Sequence, residues 1–551
     1  MGLATVRQRS PTLYHTPRAG RIFPGRFEFV ARLDPASLPA YNPVSMLAGR
    51  ITTAALTHAV VLTVSLLNLA YVAIGCPLDL SPDEAHYWDW SRHLDLSYYS
   101  KGPLVAWLIR ASCDLFGTSV AAVRLPAVVC GGLLLAGIGR IAATAFQSER
   151  FALVVILLAL TLPPFSAASV LMTIDPPFLA CWAWATVAVQ NRRWHLAGVL
   201  VAIGTLAKYT MLLFPACVGL MMLTHPQWRT RWFVSFLALS LLGLVPVFVW
   251  NLANDWVGLR HLLGHADNGG RPAEWFSPLV FVAGQGGLLL GIWFVACAVG
   301  VWHYRPSREG DQTLAPLWWL SVPVFAVFLL ASVRTSGQPN WPAAAYVTGF
   351  ILAVRVITHC SKSWVRNSLI VAAVFLGVAL SLALRWPNLV RPTLASILAQ
   401  PTDHTPTPIR RLDPTARLVG WRTLASAVNR VRLERIEQFG EEPLLGAMAW
   451  TVPGELGFYC ENHPQAYSFG AAVGDRFSQY DLWRPNPVSD AQAFAGRTFV
   501  YVGDEPPPGV FDRVEFACRV THSECGVPLA TWSIWVCTGY RGFTRLSPGR
   551  Y

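Results

Sequence analysis

Between residues 51 and 385 the chain is a succession of apolar runs, many close to the roughly 20 residues needed to cross about 30 Å of hydrocarbon. A water-soluble core has no room for so many such segments, so the fold must be built in lipid. The runs lie at 51–75, 120–146, 151–172, 176–190, 195–207, 209–224, 232–253, 277–302, 314–333, 341–357 and 365–385. They predict an all-α polytopic membrane domain of about eleven transmembrane helices over residues 51–385. Composition agrees: 53% of the residues are hydrophobic and 13% charged, where an ordinary soluble domain has roughly 25% charged. Residues 386–551 are far more polar and read as a C-terminal soluble domain, α/β or mixed.

The formal charge of +12 does not point to nucleic acid, because the arginines are scattered among short loops rather than gathered in a stripe with interleaved aromatics. Residues 1–50 carry seven arginines against one Asp and one Glu and lack a signal-peptide pattern. They are expected to be a disordered basic tail kept in the cytoplasm. Every second connection after it then carries the cytoplasmic cations: Arg150, Arg192 with Arg193, Arg229 with Arg231, Arg305 with Arg308, and Lys362 with Arg366. An odd number of crossings is then expected to deliver the C-terminal domain to the outside of the membrane. Four of the eleven cysteines, Cys460, Cys518, Cys525 and Cys537, lie in that domain, and an even number suits an oxidising compartment.

The outer connections hold the residues able to do chemistry. The first, residues 76–119, reads Ser81-Pro82-Asp83-Glu84-Ala85-His86-Tyr87-Trp88-Asp89-Trp90 and continues through Arg92, Tyr98, Tyr99 and Lys101 to Gly102-Pro103. Pro82 ahead of two carboxylates marks a helix start, where acids also serve as caps. Asp175 stands in Thr173-Ile174-Asp175-Pro176-Pro177 between apolar runs, and Lys208-Tyr209 repeats the arrangement with a cation. A charge in such a place faces a cavity or the interface, although a capping Asp and a snorkelling Lys have the same appearance. Gln338-Pro339-Asn340-Trp341-Pro342 is a stiff, hydrogen-bonding loop on the same side. Scattered structural residues have no reason to share one face.

These motifs resemble the bacterial GT-C glycosyltransferases, relatives of the protein O-mannosyltransferases and of the transferases that put aminoarabinose on lipid A. The run Asp83 to Trp90, the segment Tyr98-Tyr99-Ser100-Lys101-Gly102-Pro103, the Asp175-Pro176-Pro177 turn, the Ala207-Lys208-Tyr209 step and the Gln338 to Pro342 loop carry the resemblance over residues 50–350. It implies transfer of a sugar from a polyprenyl-phosphate donor to a lipid, glycan or protein acceptor on the periplasmic face. Asp83 would be the general base, Glu84 its support and Asp175 a further acid of the site. Lys208 would contact the lipid phosphate, with His86, Arg92, Lys101, Tyr209, Gln338 and Asn340 as further substrate contacts. The chemistry suits these residue types: a phosphate leaving group needs cations and donors, and a hydroxyl or amine nucleophile needs a carboxylate to take its proton. No organic cofactor or nucleotide motif is present in the sequence, and dependence on a divalent metal stays open. Two alternatives remain: a polyprenyl-lipid transporter or flippase, and a ligase or polymerase using a diphosphate-linked glycan.

Overall fold

The computed structural model describes residues 43–267, 275–306, 312–334, 337–398, 407–411 and 413–543, so most of the expected basic tail lies outside the described residues. Residues 51–551 form one compact unit. Helices occur at each predicted apolar run, and Val120–Phe146 has the predicted bounds. Among the described residues, five helical stretches are long and apolar enough to cross a membrane: Thr53–Gly75, Val120–Phe146, Phe233–Ala253, Gln312–Ala331 and Ser363–Arg385. The expected eleven is not reached by that measure. Asp175–Gln190, Trp194–Ala207 and Ala343–Thr358 have only 16, 14 and 16 residues. The 151–172 run is broken into Glu149–Ala159 and Pro163–Ala168, where two prolines in sequence cannot continue a helix already begun. Ser277–Leu288 and Ile292–His303 count as a sixth span only if taken together, and they meet at an angle of 109°.

Large apolar side chains such as Val234, Leu330, Val371 and Phe375 lie bare on the outside of the bundle, as lipid allows and water does not. Inside it, Trp182 packs edge-on to Phe214 at 5.0 Å and Trp293 to Phe350 at 4.8 Å. The bundle is a multi-pass, membrane-type helical core.

The C-terminal part carries a five-stranded mixed sheet in the order β2-β1-β3-β5-β4, with β1 at Leu444–Ala447, β2 at Ala466–Ser468, β3 at Phe499–Val502, β4 at Phe511–Glu524 and β5 at Val527–Tyr540. β1 pairs in parallel with β2 and β3, while β5 runs antiparallel to β3 and β4. The long β4–β5 hairpin closes on Cys525-Gly526, both at positive φ as a two-residue turn requires. The helix Trp421–Phe439 covers one face of the sheet. All eleven cysteines are free, so the even count in this part does not produce disulfides. The strand register explains why: Cys518 lies opposite Ile534, and Cys537 opposite Val514. Buried Arg391, just beyond the last long helix, ties the start of the C-terminal part to the rest of it through hydrogen bonds to Asp413 (2.7 Å) and Thr415 (2.9 Å) and an ion pair with Glu524.

Candidate active site

The helix Pro82–Arg92 is started by a capping box. Ser81 Oγ accepts from the Glu84 amide at 3.2 Å, and Glu84 Oε2 accepts from the Ser81 amide at 2.9 Å. Glu84 therefore performs the capping that the sequence allowed for both acids. It is fully buried, and Arg124 of the Val120–Phe146 helix grips it with two parallel bonds, Nε to Oε1 and Nη2 to Oε2, each 2.9 Å. The Met172 amide donates a further bond of 2.9 Å to Oε1. With these partners Glu84 is a structural anchor for the start of the helix.

Asp83, one residue earlier in the same turn, is left free. It is exposed, but to a recess walled by protein rather than to open surface. That crowding raises its carboxyl above the usual range; Lys101 and Arg476 oppose the rise, and Glu84 and Asp175 add to it. Lys101 stands nearby, half-buried, with no ion pair or hydrogen bond to its ammonium among the described residues. Burial, then the charges of Lys208 and Arg476, bring its pKa down to about 8. Gly102 explains how Lys101 comes so close to the bundle. A Cβ there would fall 2.1 Å from the Leu206 carbonyl oxygen, so only glycine lets the loop pack against the end of the Trp194–Ala207 helix.

On the bundle side Asp175 Oδ1 accepts from Lys208 Nζ at 2.7 Å, and Oδ2 accepts from Asn340 Nδ2 at 2.6 Å. Asn340 is held in turn by the bent helix pair: Gln285 Nε2 donates to the Pro339 carbonyl at 3.0 Å, and Gln285 Oε1 accepts from Tyr346 at 2.7 Å. Tyr209 reaches the first loop through its hydroxyl, 3.3 Å from Ser97 Oγ. The structure thus brings together Asp83, Lys101, Asp175, Lys208 and Asn340, five residues drawn from four separate connections.

Other expected contacts are used differently. Arg92 pairs with Asp89 at 3.2 Å, bonds the His463 carbonyl at 3.0 Å and lies over Trp88, so it fastens the helix to the C-terminal part and is not in the cluster. His86 is buried against Trp90, Tyr480 and Trp450, and burial followed by Arg476 lowers its pKa to about 3; it is a neutral packing ring with Nδ1 unpartnered. Gln338 is exposed, and its carbonyl closes a turn with the Trp341 amide at 3.0 Å.

Two participants were not identified from the sequence. Arg124 is an arginine inside an apolar run, which by itself asks for a buried partner. Arg476 lies in a polar loop with no pattern to single it out. The C-terminal part also shapes the site directly: the helix Pro453–Tyr459 lies so close to the Pro82–Arg92 helix that a Cβ on Gly454 would meet the Ala85 carbonyl carbon at 2.8 Å. Gln479 Oε1 accepts from the Tyr99 amide at 2.7 Å.

Residues 100–250 match the family described as dolichyl-phosphate-mannose-protein mannosyltransferase. The chain is 31% identical over 290 residues to the lipid A galacturonosyltransferase RgtD of Rhizobium johnstonii; the match covers 50% of this chain and 60% of that protein. Two crystal structures of ArnT from Cupriavidus metallidurans share the fold. The apo form has a TM-score of 0.53 at 17% identity, covering 89% of this chain and 98% of ArnT. The form bound to undecaprenyl phosphate has a TM-score of 0.52 at 18% identity, covering 90% and 98%. Residues 100–250 thus match the mannosyltransferase family model, in a chain similar in sequence to RgtD over about half its length and similar in fold to ArnT.

Proposed function

We propose that the protein is a membrane glycosyltransferase that moves a sugar from a polyprenyl-phosphate donor to a lipid acceptor on the periplasmic face. The observation that carries this reading is the pairing pattern among the acids. Glu84 is neutralised by Arg124 and Asp175 by Lys208, whereas Asp83 is free beside the unpaired cation Lys101. A free carboxylate next to a free cation, where apolar helices end, fits a reaction that removes a proton from a nucleophile while a phosphate departs. Lys101 and Lys208 would hold the phosphate, whose negative charge grows as the bond to the sugar breaks. Asp83 would take the proton of the attacking hydroxyl or amine, and Asp175 with Asn340 would keep Lys208 in place. The likeness to ArnT with undecaprenyl phosphate and to RgtD supports this donor and a lipid A-type acceptor.

Transport is less well supported. The one feature in its favour is the 109° break in a span, yet Gln285 beside that break is already committed to the Pro339 carbonyl.

The reading is tested by incubating purified protein with a radiolabelled polyprenyl-phosphate monosaccharide and a lipid A acceptor. Label should pass to the acceptor, with polyprenyl phosphate released. Label arriving only from a diphosphate-linked oligosaccharide would instead make the protein a glycan ligase.

The same groups set an expected pH profile. Asp83 works as a base only when ionised, so transfer falls on the acid side at a pH above the ordinary aspartate range. Lys101 must be charged, so transfer falls again as pH rises through about 8. Lys101→Arg keeps its charge in alkali and should remove the upper limb; a profile unchanged by that substitution would show that Lys101 does not set it.

A further inference from the structure

Arg476 is the one cation near Asp83 that the proposed reaction leaves without a task. It comes from the C-terminal part, in the loop between β2 and β3, and its guanidinium lies 5.0 Å from the centre of the Trp450 ring. Trp450 in turn meets the His86 ring at 5.4 Å. On the Pro82–Arg92 helix, His86 and Tyr87 follow Asp83 at the three- and four-residue spacings that share a face. Asp83, His86 and Tyr87 all respond to the charge of Arg476. Arg476 thus stands, through Trp450, beside the helix face that carries Asp83, His86 and Tyr87, on the side of the C-terminal part. Lys208 and Asp175 lie at the opposite boundary, where the apolar helices end.

This arrangement has an order. A polyprenyl tail must stay in lipid, which fixes its phosphate near Lys208 and Lys101, and the sugar must project from there past Asp83. An anion met by Arg476 on the side of the C-terminal part is then one carried by the sugar or by the molecule receiving it; the lipid phosphate, common to both donors, would be read equally in all combinations. Arg476 makes no ion pair among the described residues, and its Nε is enclosed without an acceptor. Asp83 cannot serve as its partner while acting as a base. Lys101, a second unpaired cation close by, makes the positive charge costlier to hold. A half-buried guanidinium with an enclosed Nε and no ion pair can take an oxyanion, and its planar fork suits a carboxylate or phosphate better than a neutral hydroxyl.

We propose that Arg476, with Trp450 as its platform, forms a second anion subsite that binds a carboxylate or phosphate carried by the transferred sugar or by the acceptor. This rests on the glycosyltransferase reading and adds to it a substrate class: at least one of the two reacting partners is acidic at a position away from the lipid phosphate. Arg476 would be a specificity-determining residue, and the C-terminal part its supplier.

The experiment uses the full purified chain, two donors and two acceptors. The donors are a polyprenyl-phosphate hexuronate and the matching neutral hexose; the acceptors are lipid A and its dephosphorylated form. Arg476→Gln should lower kcat/KM about 10- to 100-fold wherever the anion is present, the loss expected when a charged hydrogen-bonding partner is removed. A loss confined to the uronate donor assigns the anion to the sugar, and a loss confined to phosphorylated lipid A assigns it to the acceptor. In either case the loss should exceed that of the neutral combination by about 10-fold or more, since the effect of Arg476 on Asp83 is common to all substrates, and Arg476→Lys should restore part of it. An equal loss in all four combinations, or none in any, overturns the subsite. If the unaltered protein releases polyprenyl phosphate from neither donor, the transferase reading itself fails, an outcome distinct from selective or unselective loss in the variant.

Discussion

Asp83→Asn is expected to lower the turnover of sugar transfer by about 10²- to 10⁴-fold, the range over which a positioned general base acts. The substitution is nearly isosteric, and among the described residues Asp83 makes no anchoring bond of the kind that holds Glu84, so the helix start should survive it. Binding of the polyprenyl-phosphate donor should therefore stay close to normal, because Lys101 and Lys208 are untouched. Single-turnover kinetics together with a donor-binding titration separate the two effects. Near-normal turnover in this variant would remove Asp83 from the role of base, and lost binding with intact chemistry would make it a donor contact.

The second large effect is on stability. Arg124→Ala leaves Glu84 as an uncompensated charge in a site with no solvent access, which should cost about 3–5 kcal/mol. The amide of Met172 and the capping bond to Ser81 remain, but neither supplies a positive charge. Unfolding in detergent, followed by heat or denaturant, measures the loss. Replacing both partners together, as Arg124→Met with Glu84→Leu, should recover much of the stability, since a well-packed apolar pair is often no worse than a buried ion pair. It should not recover transfer, because the capping box that fixes the turn holding Asp83 would be gone. If Arg124→Ala unfolds like the unaltered protein, the pair is not the anchor described.

Much of the membrane part was readable in advance because lipid demands continuous apolar sequence: Val120–Phe146 and the 209–224 run have their predicted limits. The number of long crossings was not readable in the same way. Hydropathy does not register the break at Pro163-Pro164 or the bend between Leu288 and Ile292, both of which depend on backbone geometry. Asp175, Lys208 and Asn340 were visible as a group because each flanks an apolar run at what the expected topology makes one face. The division of labour between Asp83 and Glu84 was not visible, since either acid can cap a helix and only the partner Arg124, 40 residues away, decides between them. Arg476 was hidden for the opposite reason: in a polar domain a lone arginine carries no signal. The even number of cysteines misled because pairing depends on strand register, which the count does not contain.

The contact at Gly454 has a consequence for how the molecule can be taken apart or altered. The seam between the Pro453–Tyr459 helix and Ala85 is too tight for even one methyl group, and Trp88 packs there edge-on against Phe458 at 5.0 Å. The C-terminal part is thus a wall of the candidate site and not an appendage, so grafting it from another protein would rebuild that wall. Truncation short of it would strip tryptophan and tyrosine rings bare at the very place where the nucleophile is to be received.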